Sequence, residues 1–214
     1  MEWNRKEILR YLGYKGKPAD EPTQQKIEQA IQELERVMAP KAVFRTYPVE
    51  WLGEHHIRIG GLDIESRQLC QHISGCEQAS LFAATLGAPT DLLIQRYLVL
   101  DMSHAVILQA CAAAAIEEYC DLRQKEVEQE AAAGGLYLRP RYSPGYGDFP
   151  LTLQKPFLTQ LDAPKRIGLT ATDSSILAPS KSVTAVIGFT PDPTSCHVAR
   201  CMTCQAKNCP FRTA

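Results

Sequence analysis

Hydrophobic positions in the first forty residues recur with helical spacing. Ile8, Leu9, Tyr11 and Leu12 follow Asn4 and Glu7, which stand at capping-box distance, and Gly13 sits where a helix takes its left-handed C-terminal residue. A short helix is predicted there. After a turn rich in Gly, Pro and Asp, the residues Ile27, Ala30, Ile31, Leu34 and Met38 repeat at i, i+3 and i+4, and Pro40 stops this second helix. Residues 1–40 thus read as a helical hairpin packed on the rest of the chain.

From Ala42 to Tyr47 the period shortens to two, with Val43 and Arg45 alternating with Phe44 and Thr46, which predicts a strand. Ile57 and Ile59 mark a second strand, and Gly60-Gly61 turns it into Leu62-Asp63-Ile64. Ser66 can cap a short helix carrying Leu69, His72 and Ile73, after which the unbroken apolar run Ala79–Thr85 reads as a buried strand. Residues 91–133 use the vocabulary of helix formers, with Asp101 and Ser103 as candidate caps and Gly134-Gly135 as the end. The alanines at 110 and 112–115 let a backbone or a ligand approach that helix closely. Leu136-Tyr137-Leu138 is expected as a strand entering a stiff loop over 139–148, followed by a helix over 152–161 and strands over 167–170 and 182–189. Strands, then helices, then strands again give an α+β class in place of a βαβ repeat.

Charge narrows the possible partners. The sequence has 214 residues, with 23 basic and 24 acidic, and a net charge of -1. It therefore has no field that would seek nucleic acid or an acidic membrane. The longest apolar stretch falls far short of the ~20 residues of a membrane-spanning helix, and no secretory signal opens the chain, so a cytoplasmic location is expected. In a reducing compartment the four thiols Cys196, Cys201, Cys204 and Cys209 point to a metal instead of disulfides. Their spacing suits one zinc ion or one iron-sulfur cluster. His197 could substitute as a ligand, although four cysteines suffice. Cys70, Cys76, Cys111 and Cys120 sit among apolar residues and read as small core side chains. His55-His56 and His104 lack a third ligand at metal spacing, and Asp173-Ser174-Ser175 lacks a partner histidine, so a hydrolase has little support.

The loop Arg141-Tyr142-Ser143-Pro144-Gly145-Tyr146 carries the strongest signal. It resembles the Arg-x-x-x-Gly-Tyr signature of the activation domain of cobalamin-dependent methionine synthase. The opening Arg5-Lys6-Glu7-Ile8-Leu9-Arg10-Tyr11-Leu12-Gly13, Thr85-Leu86-Gly87, Ile116-Glu117 and Pro179-Ser180-Lys181-Ser182-Val183 are similar to stand-alone forms of that domain, so the resemblance spans roughly 1–190. It implies a twisted, mixed or antiparallel sheet flanked by helices. The division it suggests is a hairpin over 1–40, an S-adenosylmethionine-binding domain over 41–190 and a Cys-rich metal-binding tail over 191–214.

It also implies a role. The chain would bind S-adenosylmethionine through Glu117, Arg141, Ser143, Gly145 and Tyr146. It would support reductive methylation of inactive cob(II)alamin to methylcobalamin on a methionine synthase that lacks its own activation domain. Arg141 can fork onto a carboxylate, Gly145 admits a close backbone, and Tyr146 offers a ring to a positive ligand. A low-potential donor, flavodoxin or ferredoxin, would supply the electron. An iron-sulfur cluster in the tail could relay that electron, which places it slightly ahead of zinc. Two alternatives stay open: activation of another corrinoid methyltransferase, or a non-catalytic S-adenosylmethionine-sensing, metal-binding module.

Overall fold

The computed structural model describes residues 2–14 and 17–192. Asn4 accepts a hydrogen bond from the Glu7 amide to start α1 (Arg5–Tyr11), and Gly13, at φ +84°, leaves it. Asp20 does the same for Thr23 at the start of α2 (Glu21–Val37), whose Ile27, Ala30, Ile31 and Leu34 are buried. Both helices follow the sequence pattern.

The strand β1 (Lys41–Gly53) runs further than its alternation suggests because it changes partners along its length. Lys41–Pro48 pairs with β4 (Gln78–Thr85), and Val49–Gly53 pairs with β2 (His56–Ile59). Pro48, which has no amide to donate, stands at the changeover. β2 turns into β3 (Leu62–Glu65), and Ser66 caps α3 (Arg67–His72) by accepting from the Leu69 amide. Beyond β4 come α4 (Ala88–Leu100) and the 32-residue α5 (Met102–Ala133). Asp101 caps α5 through the His104 amide. The chain then forms β5 (Tyr137–Leu138), a 3-10 turn (Leu151–Leu153), α6 (Gln154–Gln160), α7 (Ala163–Ile167), β6 (Thr170–Ala171), β7 (Leu177–Ala178) and β8 (Ser182–Thr190).

Six strands form one sheet in the order β3-β2-β1-β4-β8-β5, and every neighbouring pair is antiparallel. Between the antiparallel and mixed forms expected, the antiparallel one is found. Residue 167 closes α7 instead of opening a strand, and the small β6-β7 hairpin falls in a stretch with no alternation.

Side chains alternate across the sheet and separate two apolar layers. Phe82, Ala84, Ile187 and Phe189 face the layer formed with α1, α2, α4 and α5, where Leu34, Leu108 and Ala115 are buried. Leu81, Ala83 and Val186 face the other, with Leu69 of α3, Phe149, Phe157 and Leu158 of α6, and Leu169. Of the alanines in α5, Ala110, Ala112, Ala114 and Ala115 lie in the first layer, packed against other elements of the fold, while Ala113 is half-buried. Cys70, Cys76, Cys111 and Cys120 are buried thiols outside any disulfide, and burial pushes the Cys111 thiol up to about 12. No helix among the described residues is long and apolar enough to cross a membrane.

The strand β8 ends the well-paired part of the sheet. On its outer edge β5 pairs only with Phe189 and Thr190, and Tyr142 bridges Val186. Among the described residues no strand covers that edge at Ser182–Thr184. The fold therefore leaves an opening there, between α5 on one face and α6 on the other.

Candidate functional site

A cavity of about 420 Å³ fills that opening. It is lined by Glu117 of α5, by Arg141, Ser143, Pro144, Gly145 and Tyr146 of the loop, and on the far side by Leu151, Gln154, Leu177, Ser182, Val183 and Thr184. All five candidate ligand-binding residues, Glu117, Arg141, Ser143, Gly145 and Tyr146, border this one space.

The loop is held from several sides. Tyr142 exchanges backbone hydrogen bonds with Val186, at 3.0 and 2.8 Å, and Arg139 donates its amide to Gly188. Ser143 accepts from the Tyr146 amide and Phe149 accepts from the Gly145 amide, closing a tight turn. Gly145 has φ +94°, and an added Cβ would stand 3.2 Å from Leu151, so a side chain there meets both strain and crowding. Asp148 accepts from the Ser66 hydroxyl and from the Arg67 and Gln68 amides, which ties the loop to the start of α3. The Ser66 hydrogen bond is the main cause that holds the Asp148 carboxyl below its ordinary value. On the other flank His72 Nε2 lies 2.7 Å from the Pro140 carbonyl, and its ring stands 5.0 Å from that of Tyr142.

Arg141 is the buried centre of the site. Its Nη1 donates to Gln124 Oε1 at 2.7 Å, while Nη2 donates to Asp121 Oδ1 at 2.7 Å and to Glu117 Oε2 at 3.2 Å. Burial alone would lower its pKa, but Cys120, Asp121 and Glu117 outweigh that and raise it, so the guanidinium stays charged. Three of its five N–H groups are used, and a forked pair with an incoming carboxylate must displace an α5 acceptor. Glu117, Asp121 and Gln124 share one face of α5 at i, i+4 and i+7. That spacing was the available signal for Asp121 and Gln124, which the sequence reading missed.

A second cavity of about 430 Å³ lies beyond Glu117 and Arg141, against Asn4, Glu7, Arg10 and Tyr11 of the N-terminal segment. Glu118 borders only this second space, whereas Glu117 borders both. Burial, followed by the Glu117 charge, raises the pKa of Tyr11.

Two distant motifs meet at the bottom of the opening. Leu86 donates its amide to the Lys181 carbonyl at 2.9 Å, and the Ser182 hydroxyl donates to Thr85 Oγ1 at 2.8 Å. Asp91 receives the amide and hydroxyl of Ser180. The segments 85–87 and 179–183 therefore form one joint that fixes the start of β8. Among the described residues no group of three or more His, Cys, Asp or Glu is placed to hold a metal ion. The candidate ligands Cys196, Cys201, Cys204 and Cys209 lie outside the described residues.

No protein-family model and no curated protein matches this sequence. Among solved structures, the crystal structure of the MetH reactivation domain bound to AdoHcy matches with a TM-score of 0.64 and 17% identity. The match covers 87% of this chain and 75% of that one, and the antiparallel sheet flanked by helices is the fold the two share.

Proposed function

We propose that this protein holds S-adenosylmethionine in the cavity at the open edge of β8 and presents its methyl group to the cobalamin of a partner methionine synthase lacking a reactivation domain. One observation carries this reading: Glu117 and the Arg141–Tyr146 loop converge on a single cavity. The shared fold supports it, since the matching domain was solved with AdoHcy, the product left when S-adenosylmethionine gives up its methyl group. The partner's inactive cob(II)alamin, given one electron by a low-potential flavodoxin or ferredoxin, takes the methyl group from sulfur and leaves methylcobalamin and S-adenosylhomocysteine.

The residues of this chain bind and aim the donor. A ligand carboxylate reaching Arg141 takes the place of an α5 acceptor, and the ligand ammonium pairs with the carboxylate of Glu117 or Asp121 that is released. The number of buried charges left unpaired stays at zero through the exchange. Tyr146, 54% exposed at the mouth, offers its ring to the sulfonium, an attraction of about 0.5–2 kcal/mol. Positioning of this kind can supply ~7–11 kcal/mol of a barrier without an acid or a base. Tyr146, Leu151 and Ile176 leave apolar surface exposed around the opening, which suits a partner that must cover it. For Cys196, Cys201, Cys204 and Cys209 the spacing supports a four-thiolate iron-sulfur or zinc site, and iron, sulfide and zinc analysis after anaerobic purification distinguishes them.

Calorimetric titration with S-adenosylmethionine tests the proposal. Saturable binding is expected, weakened in Arg141→Ala by the ~1.5–3 kcal/mol of a hydrogen bond to a charged group. No binding to the wild-type protein overturns it.

A further inference from the structure

The wall of the cavity opposite Arg141 carries an amide with hydrogen-bonding capacity to spare. Gln154 opens α6 and is 4% exposed, yet it lines the cavity. Its Oε1 is taken, because the Thr184 hydroxyl, itself 1% exposed, donates to it at 2.8 Å. No hydrogen bond of the Nε2 group to the protein is found among the described residues, and Nε2 is not among the fully enclosed unpartnered atoms. With Oε1 turned to Thr184, the end of the amide left over is the donor.

The surroundings say what kind of ligand atom it meets. Around Gln154 the lining consists of Leu151, Leu177, Val183, Ser182 and Thr184, all uncharged, while the charged groups lie at Arg141 and Glu117. An amino-acid head group belongs at the charged end. The uncharged wall suits a nucleoside, whose ring nitrogens and hydroxyl oxygens accept hydrogen bonds.

The geometry points to Gln154 as a specificity-determining residue that donates its Nε2–H to an uncharged acceptor on the nucleoside of the ligand, while its Oε1 is engaged by Thr184. This rests on the reading of the cavity as an S-adenosylmethionine site. A site that offers a buried donor discriminates against analogues that cannot accept it, because the donor is then left without a partner.

The test is calorimetric titration of S-adenosylhomocysteine into wild type, Arg141→Ala, Gln154→Met and Gln154→Glu, with thermal unfolding of each recorded alongside. Gln154→Met is expected to bind about five- to tenfold more weakly with its unfolding temperature little changed. Gln154→Glu keeps an acceptor for Thr184 but loses the donor. It should bind weakly at pH 8 and recover toward pH 5, as the buried carboxyl gains a proton and with it an O–H to donate. A merely structural role would not produce that recovery. Should Gln154→Met fail to fold, the pH profile of Gln154→Glu decides alone. Wild-type affinity in both Gln154 variants, with Arg141→Ala weakened, overturns this inference and leaves the site reading intact. No binding to wild type removes the site reading itself. The 2′-deoxy and 7-deaza analogues of the ligand then identify the acceptor: the one that weakens wild type but not Gln154→Met has lost it. Equal weakening in both proteins by every analogue also overturns the inference.

Discussion

The two walls of the cavity are built on different principles. One is a face of α5, the longest helix, whose neighbouring positions Ile116 and Cys120 are buried in the core. Its polar groups, Glu117, Asp121 and Gln124, are already paired with Arg141. The other is a seven-residue helix and an uncovered strand edge whose cavity-lining side chains are uncharged, where Gln154 keeps a free donor. The difference follows from cost. An ionised group without a partner away from water costs several kcal/mol, so the charged wall must satisfy itself before any ligand arrives. A neutral amide bordering a cavity can be left open for much less. The electrostatic cost is therefore settled on the charged wall before any ligand arrives, and ligand preference is left to the neutral one.

The largest effect is expected where the neutral wall is anchored. Phe157 of α6 is fully buried and lies in one apolar layer with Phe149 of the preceding loop and with Leu81, Ala83 and Val186 of the sheet. Phe157→Ala should cost about 3–5 kcal/mol in denaturant unfolding and weaken ligand binding as well. A cost below about 1 kcal/mol would mean that α6 is held elsewhere and would remove the anchoring half of the comparison.

The charged wall gives a sharper test because its members differ in burial. The Arg141 side chain is 5% exposed, whereas those of Glu117 and Asp121 are 36% and 65% exposed. Removing both acids, in Glu117→Gln with Asp121→Asn, strands a buried cation and should cost about 3 kcal/mol. Arg141→Met leaves two carboxylates that water can reach, and about 1 kcal/mol is expected. Chemical denaturation of the two variants side by side orders them, and the reverse order would break the account of the charged wall.

The walls also differ in how much of them could be read from sequence. The helices α1 and α2 carry apolar residues at helical spacing and α5 the composition of helix formers, and the caps Asn4 and Asp101 or the stops are visible in the residues. The loop from Arg141 to Tyr146 was legible through its ordered motif. Gln154 and Thr184 were not, because a lone Gln in a two-turn helix and a Thr in a strand have no pattern of their own. Their meaning arises only when the uncovered edge of β8 brings them together across 30 residues. For the same reason residue 167 was assigned to a strand. A five-residue helix offers too few turns for its period to show, and Gly168, at φ +70°, ends it through hydrogen bonds to the Ala163 and Pro164 carbonyls.

The smallest effect concerns the support behind the loop. His72 Nε2 lies 2.7 Å from the Pro140 carbonyl, and since that oxygen can only accept, Nε2 carries the proton and donates it. Burial is the largest influence on the imidazole and lowers its pKa; the Pro140 hydrogen bond opposes this, and the Arg139 charge adds to it. The folded protein thus takes up this proton less readily than the unfolded chain, whose histidines titrate near ~6.5. His72 contributes its full stability above that value, and the contribution is lost as pH falls below it toward the folded pKa. Asp148 acts in the same direction but at lower pH, because its depressed carboxyl matters only below the ordinary range near ~3.9. Unfolding free energy measured from pH 7 to pH 5 should therefore decline in the wild-type protein. The decline should be shallower in His72→Gln, which retains an N–H donor for Pro140 without a titrating ring. An identical slope in the two proteins would show that the loop is supported without reference to the charge state of His72, leaving Asp148 and the β8 backbone as its hold.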